Sequence, residues 1–154
     1  MSPTVIGFIK TSLLSLATGV VLGVLMALHV LPQADTPQYL TSAHAHINLL
    51  GAVMMLIFGV GYHILPRFSG RPLHNEGLST VQLWLNIIGL VGMFVALLAA
   101  AYSSADLLRY AVAPFGAIYA LGGVLFAWNM WMTVSGALPA PTPIKPAPKP
   151  PAKK

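Results

Sequence analysis

Residues 41–68 read TSAHAHINLLGAVMMLIFGVGYHILPRF. The stretch holds three of the chain's five histidines, His44, His46 and His63, in a run that is otherwise almost wholly apolar. A helix of roughly 20 apolar residues crosses the hydrocarbon core of a bilayer, and residues 43–65 are long enough to do so. Ionisable side chains are costly inside such a span and mark it as a candidate binding site. The reading of this stretch as a membrane helix with imidazoles at its start and near its end decides the fold.

Three further runs have the same character, at about residues 8–31, 81–102 and 107–134. Hydrophobic residues make up 56% of the 154 and charged residues 7%. A soluble domain carries about a quarter of its residues charged, so the composition specifies an all-α membrane protein of four spans. No Lys, Arg, Asp or Glu lies deep in any span; Lys10 and Arg109 sit near ends, where long side chains reach the interface. The run at 8–31 is too long for the core of a signal peptide, and no clear cleavage site follows it, so it is expected to be a retained helix. The absence of cysteine excludes disulfides, Cys-ligated metal and covalently attached haem.

Punctuation between the runs agrees. Pro32 and Pro66 are expected to close the first two helices, Ser79 or Thr80 to cap the third, and Pro114 to bend the fourth. The segment PQADTPQYLTS (32–42) reads as a polar connection, and SSAD (103–106) as a tight one that makes helices three and four antiparallel neighbours. Trp84, Trp128 and Trp131 lie near span ends, as an interfacial belt requires. Gly19, Gly23 and Ala27 form a stripe of small residues that suits a helix–helix seam within the bundle or a dimer face.

With four spans, Lys10, Arg67, Arg71, Lys145, Lys149, Lys153 and Lys154 fall on one side and Arg109 alone on the other. The positive-inside rule then places both termini in the cytoplasm of a bacterial inner (plasma) membrane protein. The net charge is +5, but half of the eight basic residues are lysines in a proline-rich tail and the others are scattered, so no nucleic acid is expected as a partner. The domain division is a four-helix membrane domain at 1–136 and a disordered Pro/Lys-rich tail at 137–154.

Depth sorts the histidines. His63 follows His44 by nineteen residues, or about 28 Å of helix, so the two cannot share a small site. His29 ends the first span on the same side as His44 and His46, which gathers three imidazoles in the outer half. His74 falls in a loop. Residues two apart on a helix point roughly 200° away from each other, so His44 and His46 converge on one copper ion only if the first turn is unwound. Asn48, Gly51 and Met55 continue the His44 face, and the missing bulk at Gly51 would leave room for a flat cofactor.

The residues QYLTSAHAHINLLG and GVGYHILPRFSG, Gln38 to Gly51 and Gly59 to Gly70, resemble the helix-two region of haem–copper oxidase subunit I. The similarity extends over about residues 10–105 and is most specific between Tyr39 and Gly70. The resemblance implies that His44 is an axial ligand of a low-spin haem b in the outer half of the membrane, with the second ligand from His29, from His46 or from another subunit. It also implies that these four helices lack those that carry the family's copper and oxygen-site haem ligands, and it leaves open whether the chain catalyses any reaction. Electron transfer in respiration is the leading reading, as a homo-oligomer or as a subunit of a respiratory complex, in contact with membrane lipid and an unidentified redox partner. The alternatives are a copper site made by His29, His44 and His46, and a cofactor-free accessory or assembly subunit.

Overall fold

A computed structural model of the protein describes residues 1–135, so the tail at 137–154 and its expected disorder lie outside the described residues. Five α-helical segments build four long rods: α1 (Pro3–Ala27), α2 (Pro37–His46), α3 (Met55–Ser69), α4 (Glu76–Ala101) and α5 (Asp106–Ser135). A π-helical stretch, Ile47–Met54, joins α2 to α3, so that Pro37–Ser69 forms one continuous rod. All four rods are long and apolar enough to cross a membrane.

The helix ends depart from the sequence reading for local reasons. α1 starts at Pro3 because the Ser2 hydroxyl accepts from the Val5 N–H at 3.3 Å and proline suits the first helical turn. It ends at Ala27, short of His29. α2 begins at Pro37, six residues before the expected start, since Pro37 again supplies a preset φ, and Leu40 and Ala43 are buried. Pro66 does not close α3. It removes one backbone bond near the end, and the helix runs on to Gly70, whose φ of 65° makes the left-handed C-cap. The cap of α4 is Asn75, whose side-chain oxygen accepts from Leu78 N–H at 2.9 Å; Ser79 and Thr80 instead donate to the Glu76 carbonyl within the helix. α5 matches its expected span and passes through Pro114 without a break.

The interface between α4 and α5 is the largest in the bundle, as the tight connection at 102–105 requires. α1 packs on the π stretch and α3, α2 on α4, and α3 on α5. The small-residue stripe of α1 is an internal seam. Gly23 faces the His44 ring, Gly19 faces the Asn48 amide, and Ser15 fills the space opposite Gly51. Phe8, Phe58, Tyr62 and Phe126 form an aromatic cluster nearer the end that carries Ser2 and Ser135, with centroid separations of 4.7 to 5.9 Å. At that end the Thr4 and Thr80 hydroxyls meet at 3.0 Å, and the His74 N–H donates to Thr133 Oγ1 at 3.0 Å. Trp84, Trp128 and Trp131 are all exposed near it.

Candidate functional site

The two histidines of α2 have different surroundings. His44 lies on the face turned to α1. A Cβ added at Gly23 would sit 2.7 Å from its Cε1, so a side chain there would push the ring from its present place. Asn48 Nδ2 donates to the His44 carbonyl at 2.8 Å and lies 3.4 Å from His44 Nδ1. An amide nitrogen only donates, so in this contact Nδ1 accepts and the ring proton sits on Nε2.

His46 shows the opposite arrangement. Its Nδ1 lies 2.7 Å from the Ser42 carbonyl oxygen. A carbonyl only accepts, so Nδ1 carries the proton and Nε2 presents a free lone pair. A backbone carbonyl holding one ring nitrogen while the other is free is the usual support of a metal-bound imidazole. The half-buried ring shares a helical stripe with Tyr39, Ala43 and Leu50, at spacings of four, three and four residues. That stripe packs with Met93 and Leu97 of α4 and with Val112 and Phe115 of α5.

Two contacts bracket this face. At the outer end the Arg109 guanidinium lies 5.9 Å from the Tyr39 ring centroid. Deeper, the Tyr119 hydroxyl donates to the Leu50 carbonyl at 2.8 Å. The ten residues from 109 to 119 span about 15 Å of helix. The Nε of Arg109 is buried without a hydrogen-bond partner among the described residues, although its Nη1 pairs with Asp106 at 3.6 Å. The carbonyls of the π stretch explain part of this geometry. In a π turn the backbone bonds run i→i+5, and the Leu50 and Ala52 carbonyls also accept from side chains, from Tyr119 and from Ser12 Oγ at 2.6 Å.

The remaining histidines lie elsewhere. His29 is exposed beyond α1, with a φ of 53°, beside Pro37, Leu40 and Thr41. His63 accepts from Arg67 at the opposite end of the rod, and His74 is exposed in a loop. No group of three or more His, Cys, Asp or Glu that could hold a metal ion occurs among the described residues. α2 is regular through His44 and His46, so the unwound turn that would bring both to one copper ion is not observed, and the three outer imidazoles do not converge. Nor does Gly51 leave a flat space, since a Cβ there would lie 2.6 Å from Ser15 Oγ and 3.2 Å from Leu90 Cδ2.

The family model for Cytochrome C and Quinol oxidase polypeptide I matches residues 2–138. The chain belongs to this oxidase polypeptide I family. Among its relatives, the Cbb3-type cytochrome c oxidase subunit CcoN1 of Stutzerimonas stutzeri is 31% identical over 124 residues, covering 65% of this chain and 26% of that protein. The cytochrome c oxidase subunit 1 homolog of Agrobacterium tumefaciens is 31% identical over 120 residues, or 62% and 22% of the two chains. Cytochrome c oxidase subunit 1 of Rhodobacter capsulatus is 29% identical over 122 residues, again 62% and 22%. The chain thus spans about a quarter of the length of the curated relatives it matches. No solved structure gives a significant match. Family and spans together make it a multi-pass protein of the bacterial inner membrane with a respiratory relationship.

This member of the polypeptide I family also holds a polar chain that the sequence reading passed over. The Tyr62 hydroxyl bonds Gln82 Oε1, Gln82 Nε2 donates to Asn86 Oδ1 at 3.1 Å, and Asn86 Nδ2 donates to the Tyr119 carbonyl at 3.0 Å. Gln82 and Asn86 are fully buried. Asn129, also fully buried, holds both the N–H and the carbonyl of Asn75 at 3.1 and 2.9 Å. The signal was available as two amides spaced four apart inside an apolar span.

Proposed function

We propose that the chain is a b-type haem protein of respiratory electron transfer, with His46 as one axial ligand. The observation that carries this reading is the bond from His46 Nδ1–H to the Ser42 carbonyl, which fixes the ring and frees Nε2. The reading shifts the first ligand from His44, the match given by sequence resemblance, to the histidine two residues later. Arg109 supports it as well, because its unpartnered Nε lies on the same side of the bundle and suits a haem carboxylate. A haem there would supply one-electron redox chemistry. The chain's own part is to hold the ring by Ser42, to exclude water with Val112 and Phe115, and to meet negative charge with Arg109. Both termini face the cytoplasm in this reading, which follows the seven-to-one distribution of Lys and Arg.

A second axial histidine is not beside the first. His29 and His44 lie towards α1, away from the stripe of His46. In this reading the second ligand comes from outside the described residues, as from a second copy or a partner subunit of a respiratory complex.

The test is spectroscopic. Protein purified in mild detergent from haem-replete cells is expected to show a Soret band that His46→Ala abolishes. His44→Ala and His29→Ala should each retain most of it. A colourless, metal-free wild type would end the haem reading and favour a cofactor-free accessory subunit. Copper without haem would favour metal handling. Loss of the band in His44→Ala with retention in His46→Ala would return the ligand to position 44.

A further inference from the structure

At the end of the bundle remote from His46, a cavity of about 430 Å³ opens between the start of α1, the end of α3 and the loop before α4. Arg67, Arg71, His63, Tyr62 and Glu76 contribute to its wall. The left-handed turn at Gly70 builds it. Gly70 N–H donates to the Arg67 carbonyl at 3.2 Å and Arg71 N–H to the Pro66 carbonyl at 3.0 Å, so two arginines four residues apart line one cavity across a helix end. Arg67 Nη1 donates to both Nδ1 and the carbonyl of His63 at 2.6 Å, which holds its guanidinium in place. The Nε of Arg71 is buried and has no hydrogen-bond partner among the described residues.

Neither guanidinium is in an ion pair; among the described residues that contact is made by Arg109 with Asp106. Glu76 lines the cavity unpaired and opposes an anion. With His63 accepting at Nδ1 and so neutral, two arginines and the Met1 amino group against one carboxylate leave a net positive wall. That balance suits an anion with several acceptor oxygens, for which Arg is the better partner than Lys.

We propose that this cavity binds the phosphodiester of an anionic phospholipid from the leaflet at that end. Basic pockets between membrane helices at the headgroup level are built for this. An apolar groove of about 460 Å³ favours a lipid over a free phosphate. It runs along α3 past Leu56, Ile57, Val60 and Ile64, against Phe126 of α5, and Gly61 admits the Phe126 ring at its floor. Ile64 of the groove precedes Arg67 of the cavity by one helical turn, so the two spaces are neighbours on α3.

Native mass spectrometry of the full chain in mild detergent tests this with phosphatidylglycerol, phosphatidylcholine or inorganic phosphate added. Phosphatidylglycerol is expected to be retained over phosphatidylcholine. Arg71→Gln should lower that preference about fivefold, whereas Lys10→Gln, an equal charge change outside the cavity, should leave it as it was. Equal retention of the two lipids by the wild-type chain overturns the proposal without recourse to any variant. So does an unchanged preference in Arg71→Gln. Occupancy by inorganic phosphate that displaces phosphatidylglycerol overturns the lipid as the source.

Discussion

Gly89→Leu is expected to destabilise the protein by about 3 kcal/mol, the upper part of the range for overpacking a buried contact, and to leave little monodisperse material in detergent. A Cβ at this position would lie 2.6 Å from the Tyr119 backbone nitrogen, 2.8 Å from the Phe115 carbonyl oxygen and 2.9 Å from the Tyr119 Cα. All three obstacles are backbone. A side chain can rotate away from an inserted methyl group, but a helix must move as a body, and here that helix is α5 along the bundle's largest interface. Displacing α5 would also break the Tyr119 bond to Leu50 and pull Val112 and Phe115 out of the cluster that holds Tyr39, Ala43 and Leu50. The matched control is Gly123→Leu on α5, where a Cβ would meet nothing within 4 Å. Its expected effect is a small gain, since leucine favours a helix over glycine by roughly 1 kcal/mol. Thermal unfolding in one detergent, followed by size-exclusion chromatography, separates the two variants. If both unfold together, close backbone approach at Gly89 is not what holds α4 to α5.

The same contrast between side chain and backbone explains what could be read before the fold was known. Hydropathy and length are summed over some twenty residues, so the four spans stood out from the sequence and no one residue could spoil them. Helix ends depend on one or two residues each, and there competing signals mislead. Pro66 looks like a stop, yet a proline near a helix end removes one bond, and the turn is made by Gly70, which alone tolerates its φ comfortably. Pro37 looks like part of a loop, yet it opens α2.

The candidate site was legible as a residue type and a depth, not as a particular atom. His44 and His46 are equivalent in a hydropathy profile. What distinguishes them is which ring nitrogen faces a donor and which an acceptor, and that depends on Asn48 one turn after His44 and on Ser42 one turn before His46. The glycines of α1 were legible as a seam, but their partner was not, because spacing along one helix says nothing of the register of the next. The π stretch is invisible to any period count, since Ser12 and Tyr119, which bond two of its carbonyls, come from other rods.

The polar chain through Gln82 gives the second large effect, and its sign is unusual. Gln82→Leu removes the partner of two buried groups at once, the Tyr62 hydroxyl and the Asn86 side-chain oxygen. An orphaned buried group costs about 1–3 kcal/mol, so the expected loss for two is about 2–6 kcal/mol. The lower half of that range is favoured, because helices separated within a bilayer find other partners and measured interhelical bonds average about 0.6 kcal/mol. Tyr62→Phe alone orphans only Gln82 Oε1 and should cost about 1 kcal/mol. The double variant removes both ends of the Tyr62–Gln82 bond and leaves Asn86 alone unpaired. It should therefore be more stable than Gln82→Leu by itself, although it carries one more substitution. Unfolding of all three variants in one detergent measures the coupling. Simple addition of the two single losses would mean that the hydroxyl and the amide do not depend on each other, and that the aromatic and aliphatic packing around them holds this part of the bundle.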